Sequence, residues 1–303
     1  MNHESDELRI EPFALHVDRW RGGDAGHVLL LHGLGGNSIT WHGVAPLLAQ
    51  ALRAHVVAVD YPGFGASRPG AAALSTRVLA RVTHAVMTAE APRARWVLGG
   101  NSLGGLLALE TACRFPEQVA AVHLAALSLP LGWGRPSRGL RDMMQYVAVA
   151  TPWQGRRLVT RYVTSRGVPG VVDDPIKLLF ADPTRLDAEL RQRLIAVSEY
   201  RLTWAADAAR AYEQVTRSLG LQLIWPELGA RWIQRVRCPV LSIHGTRDPL
   251  YPPSAWQHLQ RLRPDWSHVP LHDIGHVPQL EAPREFAERV ASWLSAHWPP
   301  AGA

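Results

Sequence analysis

Arg95-Trp96-Val97-Leu98-Gly99-Gly100-Asn101-Ser102-Leu103-Gly104-Gly105 changes character at its serine. Ahead of Ser102 the residues are apolar or small and read as a buried strand. Behind it, Leu103 to Arg114 has helical periodicity. The pattern Gly100-x-Ser102-x-Gly104 therefore lies between a strand and a helix, the context in which such a pattern carries chemistry. A serine there sits on a very tight, strained turn that lifts its hydroxyl above the sheet. Side chains two residues to either side would collide, so glycine is needed at both places. The following helix points its N-terminus toward any negative charge that develops beside that hydroxyl. Ser102 is the candidate nucleophile.

The same alternation extends outward. Apolar runs recur at Val28–His32, His55–Asp60, Val119–Ala126 and Pro239–Gly245. Runs that are apolar throughout suit strands covered on both faces. Helical patterns fill the gaps at Val44–Leu52, Leu74–Glu90 and Leu103–Arg114. Strand and helix in turn mean a mostly parallel, twisted sheet flanked by helices, with right-handed crossovers. Pro283–His297 reads as a closing amphipathic helix with Phe286, Val290, Trp293 and Leu294 on one stripe. Between residues 131 and 235 the rhythm breaks. That segment has helical periodicity, many arginines, no evident buried strand, and Trp133, Trp153, Trp204, Trp225 and Trp232. The expected organisation is an α/β core over residues 1–130 and 236–303, with a helical cap inserted over 131–235. The closing Trp298–Ala303 reads as a loose tail.

Composition narrows the function classes. The net charge of +6 invites a nucleic-acid reading, but the basic residues are scattered from Arg9 to Arg289 and Lys177 is the single lysine. No like-charge run of five or six occurs, so no nucleic-acid partner is expected. Cys113 and Cys238 fit no zinc or redox spacing and read as two buried thiols. The polar start, Met1–Pro12, lacks the basic and apolar segments of a signal peptide. The longest apolar stretch, Val119–Trp133, is too short and too interrupted to span a bilayer. A soluble cytoplasmic protein is the expectation.

Four motifs in one order carry a resemblance: His32-Gly33-Leu34-Gly35-Gly36, Asp60-Tyr61-Pro62-Gly63-Phe64-Gly65, the Gly100–Gly105 turn, and Gly275–Pro283. The chain resembles the α/β-hydrolase superfamily, in particular its serine esterase and carbon–carbon-bond hydrolase branches. The resemblance implies an α/β-hydrolase fold and a triad in the order serine, acid, histidine. His276, between Gly275 and a helix, takes the place of the general base. Asp248, after the Pro239–Gly245 strand, takes that of the acid that orients the imidazole. Asp273 competes for that role but reads as a solvated loop residue. Asp60 resembles the family's structural aspartate, and His32 reads as structural. The oxyanion would be held by the backbone N–H groups of Leu34 and Leu103. No cofactor or metal is called for.

The resemblance implies a serine hydrolase cleaving a carboxylic ester of a small or medium apolar molecule through an acyl-enzyme. Ser102 argues against epoxide hydrolases and haloalkane dehalogenases, relatives that use aspartate at this turn. Carbon–carbon-bond cleavage of ring-cleavage diketones is the alternative. It is weakened because Val277 and Pro278 follow His276, where that branch usually carries tryptophan. A lactonase, a cofactor-free haloperoxidase, or a ligand sensor with little turnover also fits the motifs.

Overall fold

In the computed structural model, residues 2–129 and 148–298 are described. The start of the insertion, including Trp133, and the chain end after Trp298 lie outside the described residues.

Eight strands form one sheet: β1 (Asn2–Ile10), β2 (Phe13–Arg21), β3 (His27–Leu31), β4 (His55–Val59), β5 (Trp96–Asn101), β6 (Val119–Ala125), β7 (Val240–Gly245) and β8 (Ser267–Leu271). Their spatial order is β1-β2-β4-β3-β5-β6-β7-β8. The β1–β2 and β2–β4 pairs are antiparallel, and every other pair is parallel. The apolar runs picked out by sequence form β3 to β7. Their side chains alternate between two cores. Leu29, Leu31, Val57, Val59, Leu98, Val122 and Leu124 face one, while Val28, Leu30, Val56, Ala58, Val97 and Ala121 face the other.

Helices α1 (Ala45–Leu52) and α10 (Pro283–His297) cover the second face. Helices α2 (Thr76–Glu90), α3 (Leu103–Arg114) and α8 (Pro253–Leu262) cover the first. Phe286, Val290, Trp293 and Leu294 of α10 are all buried, as their spacing requires. Ser75 caps α2 by accepting from the Val78 N–H, 3.2 Å away.

Among the described residues, the helices between β6 and β7 include α4 (Gln154–Leu179), α5 (Ala188–Leu202), α6 (Ala205–Ile224) and α7 (Pro226–Arg235). Helix α4 is kinked at Gly167, two residues before Pro169. Asp187 caps α5 by accepting from the Leu190 N–H at 2.9 Å. Helix α6 is stitched to the start of α2. Gln214 accepts from the Leu74 N–H at 2.9 Å, and Ser218 accepts from the Thr76 N–H at 3.0 Å. Among the described residues no helix is long and apolar enough to cross a membrane.

Three elements depart from the sequence expectation. Strand β1 falls in the segment read only as polar, it forms an antiparallel hairpin with β2, and neither β2 nor β8 is expected from the sequence. The cysteines are unpaired and half-buried. Burial pushes each thiol up to about 11. Trp298 is no part of a loose tail, since its ring packs against Gly26.

Candidate active site

Strand β5 ends at Asn101 and α3 begins at Leu103, so the whole reversal falls on Ser102. Its backbone adopts φ 53° and ψ −111°, a conformation rare for a side-chain-bearing residue. The neighbours over-determine it. Its N–H donates to the Ala125 carbonyl at 3.0 Å, and its carbonyl accepts from Leu106 and Ser128 N–H groups at 3.3 Å. A methyl group on Gly104 would lie 2.2 Å from the Leu31 carbonyl oxygen, and one on Gly100 would meet Gly104 at 2.3 Å. The turn therefore closes only with glycine on both flanks.

His276 lies on the loop between β8 and the short helix α9 (Pro278–Glu281) and is buried. Its Nδ1 is 2.8 Å from Oδ2 of Asp248, which sits just beyond β7. The other Asp248 oxygen accepts from the N–H groups of Leu250 and Tyr251, at 2.8 and 3.1 Å. A carboxylate so filled leaves the imidazole one orientation. Nε2 of His276 is buried and makes no hydrogen bond among the described residues. Asp273 is exposed and lies 3.8 Å from Arg247 instead.

Asn101 ties the two halves together. Its Nδ2 donates to the carbonyls of Ala125 (2.9 Å) and His276 (3.2 Å). The Gly33–Gly36 turn passes over the serine, and a Cβ on Gly33 would stand 3.5 Å from that of Ser102. The Leu34 N–H makes no hydrogen bond among the described residues, and Leu103 opens α3, where an N–H has no intrahelical partner. Asp60 and His32 are structural in their contacts. Asp60 accepts from the N–H groups of Ser38 and Ala66 at 2.5 and 2.7 Å. His32 Nε2 accepts from the Tyr61 N–H at 3.2 Å, and burial lowers its pKa.

Sequence reasoning missed three neighbours. Ser128 places its hydroxyl 3.0 Å from that of Ser102. The Tyr251 ring tilts against His276 with centroids 5.8 Å apart. Burial pushes the Tyr251 phenol up to about 12, against a hydrogen bond to Ser128. Glu281 is buried at the hinge between the His276 loop and the inserted helices. It accepts from the N–H groups of Gly275 (2.7 Å), Ala181 (3.1 Å) and Asp182 (2.9 Å), and from Arg185. The His276 N–H itself donates to Leu179, the last residue of α4, at 2.7 Å. Glu281 lies in the Gly275–Pro283 motif, where nothing but its place before Ala-Pro marks it.

The family model of the alpha/beta hydrolase fold matches residues 26–283. The chain belongs to the alpha/beta hydrolase fold family. It is 28% identical over 287 residues to the biotin biosynthesis bifunctional protein BioHC of Teredinibacter turnerae, covering 90% of this chain but only 45% of that protein. It is also 28% identical, over 280 residues, to the pimeloyl-[acyl-carrier protein] methyl ester esterase of Nitrosomonas europaea, covering 90% of this hydrolase-fold chain and 96% of that one. Among solved structures, carboxylesterase CesB of Bacillus subtilis superposes with a TM-score of 0.71 at 22% identity, covering 98% and 93% of the two chains. That last likeness concerns the fold.

Proposed function

We propose that the protein is a serine carboxylesterase whose triad is Ser102, His276 and Asp248. The observation that carries this is the imidazole of His276, fixed through Nδ1 by buried Asp248 and with Nε2 left unpartnered. Ser102 attacks the ester carbonyl carbon as its proton passes to Nε2 of His276. The Leu34 and Leu103 N–H groups hold the oxyanion, and Asp248 stabilises the imidazolium. Collapse of the tetrahedral species expels the alcohol, which takes the proton from Nε2. A water then attacks the acyl-enzyme, gives its proton to Nε2, and the acid leaves as that proton returns to Ser102. The Ser128 hydroxyl holds that of Ser102 before substrate arrives and must release it to His276.

We place the cap at residues 131–235, roofing the site through the α4 contact with the His276 loop. The substrate is a carboxylic ester with a small or medium apolar part. The esterase relatives act on a methyl ester, which favours a small alcohol as leaving group. Val277 and Pro278 after His276 speak against diketone cleavage.

The test is a chain-length panel of chromogenic esters and methyl esters, run on wild type and Ser102→Ala. Hydrolysis by the wild type that disappears in Ser102→Ala is the expected result. Undiminished hydrolysis in Ser102→Ala would sink the reading. Saturable binding of an ester with negligible turnover would make the protein a sensor instead.

A further inference from the structure

Away from the triad, three imidazoles gather on one buried carboxylate. Asp18 lies on β2, and its side chain is 2% exposed. Oδ1 is 3.0 Å from Nε2 of His3 and 2.5 Å from the Ser5 hydroxyl. Oδ2 is 3.0 Å from Nε2 of His42 and 3.3 Å from Nε2 of His16. The hairpin register creates the cluster. Ser5 pairs with Asp18 and His3 with Trp20, so His3, Ser5 and Asp18 share one face. His42 arrives from the end of the 3-10 turn Ser38–Trp41, which follows the Leu34 loop.

The rings are oriented by packing. His3 stacks on Trp20 at 4.8 Å and 18°, and His42 meets the edge of Trp20 at 5.2 Å and 81°. Three imidazole nitrogens and one hydroxyl therefore converge on a single buried carboxylate, each within 3.3 Å of it. A carboxylate with imidazole nitrogens is the donor set of a borderline divalent ion such as zinc. The donor atoms of His3, Asp18 and His42 all lie within 4.8 Å of one another. Tetrahedral ligands at about 2.05 Å from zinc stand about 3.3 Å apart. The cluster must therefore contract by an ångström or so, which the part-exposed His3 on an edge strand permits.

We propose that His3, Asp18 and His42 bind a divalent ion of the zinc class, with His16 hydrogen-bonded to Asp18 from outside, clamping the edge hairpin to the segment that follows the Leu34 loop. This site is independent of the proposed ester chemistry. Binding through Nε2 puts the ring proton of His42 on Nδ1. The Arg193 guanidinium lies 3.1 Å from that nitrogen and must turn away. Arg193 is 45% exposed and is held by Glu189 on its own helix, so it has room to do so. The ion and Arg193 compete for one imidazole.

The test uses the full chain, with Zn²⁺ followed by calorimetry and Co²⁺ by visible absorption. The expected result is one tight site per chain with the absorption of tetrahedral Co²⁺. Affinity falls at least tenfold in His3→Ala and in His42→Ala, persists in His276→Ala, and rises several-fold in Arg193→Gln. Zn²⁺ also raises the melting temperature of wild type but not of His3→Ala, whose edge-strand position spares the fold. Absence of saturable binding by wild type, or binding lost in His276→Ala and retained in His3→Ala, would overturn the proposal. Weaker binding in Arg193→Gln would overturn the Nε2 assignment.

Discussion

Ser102 and His276 are anchored in different ways. The serine is held by the sheet and the helix that follows it, through Ala125, Leu106, Ser128 and the two glycines that pack on β3 and α3. The histidine hangs on a loop whose backbone is bonded to the inserted helices. Leu179 accepts from its N–H, a Cβ on Gly275 would sit 2.1 Å from the Leu179 oxygen, and Glu281 gathers the chain at residues 181, 182 and 275. One side of the site is set by the most buried part of the molecule. The other depends on where the insertion rests. A change in the insertion can therefore reach the proposed base without disturbing the proposed nucleophile.

Four experiments break or sharpen that contrast. Removing the serine hydroxyl has the largest effect. Ser102→Ala is expected to lower kcat for ester hydrolysis by roughly 10⁶-fold, with the melting temperature unchanged, because the hydroxyl does not hold the turn. Next comes the orienting acid. Asp248→Asn should cost about 10⁴-fold in kcat, whereas exposed Asp273→Asn should stay within a factor of two of wild type in the same assay. An equal loss in both would remove the distinction between them.

Acid should attack the sheet side of the molecule through its neutral histidines. Burial lowers His123 on β6 to about 3 and His244 on β7 to about 4. The unfolded chain takes up these protons near the ordinary value of 6.5 while the folded chain does not. Stability from both groups is thus complete above pH 6.5 and falls as pH drops toward 4. Each group contributes up to about 1.4 kcal/mol per pH unit of that interval. Denaturant midpoints measured from pH 7 to pH 4 check this, and His123→Gln should flatten the slope. A slope unchanged by that substitution would mean that other groups drive acid unfolding.

The smallest effect tests the other side. Glu281→Gln keeps the size of the side chain but removes the charge that gathers four donors. It should lower kcat about tenfold, the equivalent of some 1.4 kcal/mol. The Ser102 side should be untouched, so trapping of the serine by an organophosphate should change less than ester turnover does. Equal losses in both readouts would show that the two anchors are not separate.

Much of this was legible in the chain. Strands β3 to β7 announce themselves because burial on both faces demands continuous apolar runs, and the Gly100–Gly104 turn does so because its geometry tolerates nothing else. The edge hairpin was illegible for the opposite reason. Strand β1 is mostly exposed, so Asn2–Ile10 carries no periodicity that burial would impose. Strand β8 is short and holds Pro270, which reads against a strand. Within the proposed site, the family resemblance points to His276 after Gly275 and to Asp248 after the strand ending at Gly245, and the two side chains do meet. Ser128, Tyr251 and Glu281 could not be located in the sequence, since their partners are 26, 25 and up to 100 residues away and nothing local distinguishes them. The Asp18 cluster is likewise a product of register, invisible until β1 is laid against β2.

The backbone of Ser102 has one more implication. At φ 53° and ψ −111° it carries a strain of about 1–3 kcal/mol that glycine would shed. Selection for robustness alone would therefore favour Ser102→Gly and erase the hydroxyl. Laboratory evolution that scores expression or heat tolerance without scoring turnover should drift toward that inert variant. On the proposed function, Ser102 is kept against this pressure by turnover.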